Sequence, residues 1–171
     1  MRTARAAVGS LIFLVLAPGV VAGLGPWWLT QWRVRDPSPF WVPLRVVGVI
    51  VLAAGAAVLV HAFARFVLEG LGTPAPVAPT ERLVVGGFYR YVRNPMYLAV
   101  AATVVGQALV LGQPILFVYA AGFAVVVAAF VQLYEEPTLS RQFGEDYEAY
   151  RRAVPRWWPR RRPWDAEQTD H

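Results

Sequence analysis

Four apolar segments divide the chain, and polar, aromatic or proline-rich stretches separate them. The segments lie at about residues 6–24, 44–68, 96–111 and 115–134. Their lengths are close to the roughly 20 apolar residues that a helix needs to cross a bilayer. Gly112, Gln113 and Pro114 predict a tight turn between the third and fourth segments. The pattern therefore predicts an all-α polytopic membrane protein with four transmembrane helices, and its 171 residues suit a single domain.

A different pattern follows the fourth segment. Residues 137–153 predict an amphipathic cytosolic helix, because apolar or aromatic side chains recur there every three or four positions. These side chains are Leu139, Phe143, Tyr147, Tyr150 and Val154. Pro137 should separate this helix from the fourth span, and Glu148 should pair with Arg152 four positions later. Residues 154–171 form a basic tail, whose arginines, tryptophans and prolines predict an anchor at the membrane surface.

The distribution of arginine predicts the orientation. All 16 basic residues are arginines, and the net charge is +5. With the N-terminus in the cytosol, 13 arginines lie inside and only Arg33, Arg35 and Arg45 lie outside. The loop at residues 69–95 and the C-terminus are then cytosolic. Because the arginines cluster at helix ends, they indicate contact with anionic headgroups rather than with nucleic acid. Arginine in place of lysine, with abundant alanine, glycine and valine, is typical of a GC-rich genome, and we expect a bacterial inner-membrane protein.

Composition excludes several kinds of chemistry. The chain has no cysteine, which excludes disulfides, thiolate metal ligands and cysteine nucleophiles. Its two histidines are far apart, so we expect no metal site. The sequence has neither a Walker loop nor a glycine-rich dinucleotide motif after a strand, which excludes a soluble Rossmann-type cofactor site.

Two polar motifs bracket the uncharged hairpin formed by the third and fourth segments. Residues 86–97 precede it and read Gly-Gly-Phe-Tyr-Arg-Tyr-Val-Arg-Asn-Pro-Met-Tyr. Asn94 and Pro95 suit the N-cap and first position of the third helix. With Arg90 and Arg93 just upstream, this helix end suits an anionic group. A plainly structural explanation, helix capping beside cytosolic arginines, accounts for the same residues.

Glu135 and Glu136 form the second motif, at the end of the fourth segment. Two adjacent carboxylates at the negative end of a helix dipole are unfavourable unless a partner compensates them. Either a structural salt bridge, to Arg90 or Arg93, or a cationic ligand would provide that partner. Because the hairpin returns to the same membrane face, we expect both motifs to contribute to one site.

The two motifs, followed by Phe143-Gly144, Tyr147, Tyr150 and Val154-Pro155-Arg156, resemble the isoprenylcysteine carboxyl methyltransferase and phospholipid methyltransferase superfamily. The resemblance covers about residues 65–160. It implies an integral membrane enzyme that uses S-adenosyl-L-methionine at the cytosolic face to methylate a lipid or other hydrophobic small molecule.

Carried over position by position, the resemblance implies a cofactor site. The cofactor-binding residues are Leu83, Val84, Tyr89, Asn94, Pro95, Met96, Tyr97 and Glu135. The candidates for orienting the acceptor or taking its proton are Arg93, Glu135 and Glu136. The isoprenylcysteine enzymes typically have histidine in place of Asn94 and a substrate-binding arginine in place of Val131. The second difference argues against a prenylcysteine acceptor.

Two other functions remain open from the sequence. Membrane sterol reductases share a related C-terminal pattern, so one alternative is an NADPH-dependent membrane reductase. The other is a non-catalytic membrane scaffold that retains the family fold. The sequence identifies neither the acceptor atom, oxygen, nitrogen or sulfur, nor the oligomeric state.

Overall fold

The computed structural model describes residues 17–36, 38–70 and 82–165, and throughout these ranges the regular structure is helical. Within the described ranges we label as α-helices α1 (Gly25–Thr30), α2 (Trp41–Gly70), α3 (Pro95–Leu111), α4 (Ile115–Phe130) and α5 (Glu136–Ala153). Two π-helical turns, Val20–Leu24 and Val131–Glu135, and one 3₁₀ helix, Gly87–Arg90, complete the order. The predicted all-α class is confirmed.

Two helical stretches of the described residues are long and apolar enough to cross a membrane. They are Trp41–Arg65 within α2, with a mean hydropathy of 2.5, and the run Ile115–Ala153, with a mean hydropathy of 2.3 in its apolar part. Helix α3 is also apolar but has only 17 residues. Of the first predicted segment, residues 6–16 lie outside the described residues. Two possible spans are therefore established, and the arrangement with four spans stays a prediction.

Helices α2 and α3 pack closely because glycines line their contact. A Cβ atom added to Gly106 would lie 2.7 Å from the backbone nitrogen of Leu52, and one added to Gly48 would lie 2.7 Å from Leu109 Cβ. Gly55 approaches Thr103 in the same way. Small residues allow such close packing between membrane helices, where dispersion rather than the hydrophobic effect favours association.

The N-terminal π-turn is held against the hairpin by side chains of α3 and α4. Gln107 Nε2 donates to the carbonyl of Ala22 at 2.6 Å, and the Tyr119 hydroxyl donates to the carbonyl of Val21 at 2.9 Å. A π-turn shifts the helical hydrogen-bond pattern, so its carbonyls can accept bonds from neighbouring helices. Gln107 thus stabilises the contact between helices.

The predicted turn at residues 112–114 is confirmed. Gly112 has φ 63° and ends α3, and α4 begins at Ile115. Carbonyls in the last turn of α3 accept hydrogen bonds from α2: Trp41 Nε1 donates to Leu109 and Arg45 Nε to Val110. Carbonyls at a helix C-terminus have no partner within the helix, so these contacts satisfy them.

The expected break at Pro137 is replaced by a π-turn. Helix α4 continues through Val131–Glu135 into α5, and the Glu136 amide donates to the carbonyl of Val131, five residues back. The real interruption is at Gly144, whose φ of 53° and ψ of −122° are not helical. Glu148 pairs with Arg151 at 2.8 Å rather than with Arg152, since positions three apart on a helix are also neighbours.

The predicted apolar stripe of α5 lies against the protein itself. Tyr147, Tyr150 and Val154 are buried, with exposures of 1–3%. The partly buried residues around them include Leu83, Val85, Leu139, Phe143 and Trp164. The stripe therefore packs against the segment that precedes the 3₁₀ helix, through Leu83 and Val85, and against Trp164 near the C-terminus.

Beyond α5, the segment at residues 154–165 runs back along the segment that precedes α3. Three backbone hydrogen bonds join them, from the amide of Arg93 to the carbonyl of Pro155, from Arg160 to Tyr91 and from Trp164 to Arg90. Arg90 also pairs with Asp165. We call residues 154–165 the C-terminal strap. The sequence did not predict this pairing.

Candidate functional site

The hairpin brings the two polar motifs into direct contact at one end of the helices. Arg93 Nη1 lies 2.6 Å from Glu136 Oε1, and the Tyr97 hydroxyl donates to Glu135 Oε2 at 2.8 Å. These pairs join residues that are 43 and 38 positions apart in the sequence. The contact is possible because α3 begins at the same end of the hairpin at which the π-turn Val131–Glu135 ends.

A cavity of about 70 Å³ lies between the motifs. Its walls come from the segment before α3, the π-turn and α5. The lining residues are Leu83, Val84, Tyr89, Arg93, Asn94, Val131, Glu135, Glu136, Leu139, Tyr147 and Tyr150. The cavity thus includes seven of the residues singled out from the sequence, together with four others.

The remaining three of those residues lie beside the cavity. Pro95 begins α3 and lines a separate apolar surface groove. Met96 packs against a buried cluster that contains Val84 and Tyr89. Tyr97 reaches the site through its hydrogen bond to Glu135. These three residues support the lining rather than forming it.

Glu136 is held by two arginines. Arg156 donates to both of its carboxylate oxygens, from Nε at 2.8 Å and from Nη2 at 2.5 Å, while Arg93 donates to Oε1. The Glu136 side chain is only 7% exposed. A buried carboxylate requires such compensation, and the two-pronged arginine contact also fixes its orientation. Glu136 therefore fixes the strap to the hairpin.

Arg93 lies deep within this network. Its side chain is 10% exposed, its Nη1 also lies 3.4 Å from the Tyr147 hydroxyl, and its backbone amide donates to the strap at Pro155. Arg93 Nε is buried without a hydrogen-bond partner among the described residues. The guanidinium is thus held in place through Nη1, while its buried Nε–H is not used.

Glu135 is in a different position from its neighbour. Its Oε2 accepts the Tyr97 hydroxyl, and no hydrogen-bond donor in the described part of the chain contacts its Oε1. Glu135 lines the cavity and is only partly buried. Of the two adjacent carboxylates, Glu135 is the one whose geometry leaves it available to a ligand.

Asn94 occupies the predicted N-cap position of α3, but its side chain does not cap the helix. Its Nδ2 instead donates to the carbonyl of Arg156 at 3.2 Å. The expected capping interaction was therefore wrong: the Nδ2 bond turns the side chain toward the C-terminal strap, and its Oδ1 does not accept from the first turn of α3. Asn94 and Arg156 together attach the strap to the start of α3.

Tyrosines form the aromatic wall of the cavity. Tyr89, Tyr147 and Tyr150 have exposures of 6%, 2% and 3%. Tyr150 donates its hydroxyl to the carbonyl of Tyr89 at 2.8 Å, and its ring lies 5.4 Å from that of Trp164. Burial raises the pKa of the Tyr150 hydroxyl, which favours its protonated, donating form. Tyr150 thus attaches α5 to the 3₁₀ helix.

Sequence reasoning did not include Leu139, Tyr147, Tyr150 or Arg156 in the site. Leu139 was identified only as part of an apolar stripe. Tyr147 and Tyr150 belonged to that stripe and to the motifs that carry the resemblance, and neither pattern distinguishes packing from lining a cavity. Arg156 belonged to the quoted Val-Pro-Arg segment, but its partner, Glu136, is 20 positions away. A local pattern carries no information about such a contact.

Comparison with protein families supports the resemblance found in the sequence. A family model described as phospholipid methyltransferase matches residues 43–146, more than half of the chain. The matched region includes α3, α4, both polar motifs and the first part of α5. No match was found among curated proteins or solved structures.

Proposed function

The chain belongs to the phospholipid methyltransferase family, and on that premise we propose that it is an S-adenosylmethionine-dependent methyltransferase of the cytosolic membrane face. The family implies methyl transfer, a lipid substrate and association with a membrane. The cofactor, the face of the membrane and the hydrophobic acceptor are our proposal. One observation carries it: a single cavity that both motifs line, with an available carboxylate, Glu135, in its wall.

The residues of the cavity suit the cofactor. S-adenosylmethionine has a carboxylate and an ammonium group at one end and a positively charged sulfonium at its centre. Glu135 offers an unpaired carboxylate oxygen to a cationic group, and the positive charge of Arg93, which also lines the cavity, favours an anionic group. The faces of Tyr89 and Tyr147 favour a cation nearby.

The size of the cavity limits what it encloses. Its volume of about 70 Å³ is well below the roughly 300–1,000 Å³ of pockets that hold whole drug-sized ligands. It therefore suits one polar end of the cofactor. We propose that Leu83 and Val84, which also line the cavity, contact an apolar part of the molecule.

When bound, S-adenosylmethionine supplies an electrophilic methyl group for an in-line displacement. Such a reaction depends on alignment more than on strong acid–base groups, and positioning contributes roughly 7–11 kcal/mol in well-oriented reactions. The Arg93–Glu136–Arg156 network holds the cavity wall rigid, and the Tyr97 hydroxyl fixes the carboxylate of Glu135. We propose that Glu135 orients the reacting groups and accepts the acceptor's proton where one is released.

The membrane arrangement follows from the same proposal. We propose four spans, at about residues 6–24, 44–68, 96–111 and 115–134, with both termini in the cytosol. The excess of arginines at the site end supports this orientation. A site at that end admits a water-soluble cofactor from the cytosol and a lipid from the bilayer.

Isothermal titration of the full chain in mild detergent with S-adenosylmethionine tests the proposal. We expect saturable binding by the wild type and about tenfold to hundredfold weaker binding by Glu135→Ala, which loses a charge-assisted contact. Glu145→Ala is the matched control, because Glu145 is exposed on α5 and does not line the cavity. Absence of binding by folded wild type would refute the proposal, and tryptophan quenching by NADPH alone would then favour the reductase alternative.

A further inference from the structure

A second, apolar groove lies between α3 and α4, next to the cavity. Its volume is about 300 Å³, and no charged residue lines it. Leu98 and Ala101 line it from α3, and Phe123, Ala124 and Ala128 line it from α4. The alanines leave space where larger side chains would bring the helices into contact.

Tyr97 connects the groove to the proposed active site. Tyr97 lines the groove, and its hydroxyl donates to Glu135 Oε2 at 2.8 Å. Glu135 in turn lines the cavity between the motifs. A molecule in the groove would therefore be separated from the cavity by one side chain, whose polar atom already belongs to the site.

Trp157 of the C-terminal strap lines the same groove. The residue before it is firmly held, because the Arg156 side chain binds Glu136 and the Arg156 carbonyl accepts the Asn94 amide. The groove therefore has walls from three separate elements at the end where the cavity lies. Its other end extends between the two apolar helices, toward the expected bilayer core.

We propose that this groove binds one hydrocarbon chain of the lipid acceptor, so that the polar end to be methylated lies at Tyr97 and Glu135. The proposal rests on the proposed function. Tyr97 and Ala101, like Ala128 and Ala124, are one helical turn apart, which corresponds to about 6 Å along the helix. The groove thus holds the part of the lipid's hydrocarbon chain that is nearest the headgroup.

The groove positions the lipid rather than attracting it. A hydrocarbon chain that moves from the bilayer into the groove gains little from the hydrophobic effect, since lipid tails are as apolar as the groove. Correct placement of reacting groups, by contrast, changes rates by about a hundredfold for a displacement near 1 Å. Blocking the groove should therefore slow methyl transfer and leave cofactor binding unchanged.

Ala124→Phe blocks the groove, and Ala129→Phe is the matched control. Both alanines are exposed on α4, but Ala129 does not line the groove. The full chain is reconstituted in vesicles of phosphatidylethanolamine and phosphatidylglycerol that contain phosphatidylethanolamine with a photoactivatable diazirine in one acyl chain. Labelled peptides are identified by mass spectrometry, and methyl transfer and cofactor affinity are measured on the same variants.

We expect labelling of the α3 and α4 residues that line the groove, lost in Ala124→Phe and kept in Ala129→Phe. Transfer by Ala124→Phe should fall about tenfold to hundredfold, with cofactor affinity within about twofold of wild type. Equal labelling and transfer in both variants would overturn the inference. So would a change of oligomeric state in Ala124→Phe without acyl labelling, because a second copy of the chain would then occupy the groove. Failure of the wild type to bind S-adenosylmethionine would refute the proposed function instead, and the labelling would still show whether a lipid chain occupies the groove.

Discussion

Replacing Arg156 by methionine should destabilise the protein, because Glu136 would lose two of its hydrogen bonds while staying buried. Arg156 donates from Nε at 2.8 Å and from Nη2 at 2.5 Å, and the Glu136 side chain is 7% exposed. Methionine keeps much of the aliphatic length of arginine but removes the charge. The variant therefore isolates the ionic contact from the packing of the strap.

The expected loss in the free energy of unfolding is about 2–4 kcal/mol. Complete removal of a partner from a buried ion pair costs about 3–5 kcal/mol, and one hydrogen bond to a charged group contributes about 1.5–3 kcal/mol. The Arg156 variant lies between these values, because Arg93 still donates to Glu136 Oε1 at 2.6 Å. Because the Arg156 side chain is 31% exposed, solvent screening weakens the ion pair, and we expect a loss below the upper end of the range of about 2–4 kcal/mol.

Arg160→Met is the matched control. Arg160 also lies in the C-terminal strap, but its side chain donates only to the carbonyl of Ala153, at 3.0 Å. Its loss should cost about 1 kcal/mol or less. Arg156→Lys should recover part of the stability, since lysine keeps the charge but lacks the planar two-pronged geometry.

Unfolding by increasing fractions of a denaturing detergent in mixed micelles, followed by tryptophan fluorescence, measures these differences. A double-mutant cycle with Glu136→Gln then gives the coupling energy between the two side chains. If Arg156→Met and Arg160→Met were equally stable, or if the coupling energy were close to zero, the Glu136 network would not hold the strap and this reasoning would be wrong.

Four further variants, one of them a control, test other parts of the structure. Gly106→Ala should lower the free energy of unfolding by about 1–3 kcal/mol, because its methyl group would lie 2.8 Å or less from the backbone of α2. Gly122→Ala is the control, because a Cβ there meets nothing within 4 Å, and it should be neutral or stabilising in the same detergent titration. Equal losses would contradict the close packing. Gln107→Leu should cost about 0.5–1.5 kcal/mol through the lost bond to the N-terminal π-turn, measured in the same way, and an unchanged stability would argue against that contact. Tyr97→Phe should reduce methyl transfer about tenfold at nearly unchanged stability, because Glu135 loses the hydroxyl that orients it, and wild-type kinetics would exclude this role.

The helices were predictable because their signals are local. The predicted segments 44–68, 96–111 and 115–134 agree within a few residues with α2, with α3 and with α4 together with its π-turn. Apolar length fixes such segments, and proline and glycine mark their ends. The turn at Gly112 followed from the same reasoning.

The contacts among the C-terminal strap, the segment before α3 and α5 were not predictable in the same way. Nothing in the local sequence indicates that the strap pairs with the segment before α3, since backbone hydrogen bonds do not depend on side-chain type. The choice between the two glutamates also required the structure, because only spatial neighbours distinguish the paired Glu136 from the available Glu135. The sequence nevertheless predicted that both motifs would face one site.

The most direct test of the central claim is methyl transfer itself. The full chain, reconstituted in phospholipid vesicles, is incubated with S-adenosylmethionine labelled in its methyl group, and the lipids are then extracted. We expect label in the lipid fraction with the wild type and with Glu145→Ala, and strongly reduced label with Glu135→Ala. Absence of label from the lipid fraction with folded wild type, or equal labelling by Glu135→Ala, would contradict the account.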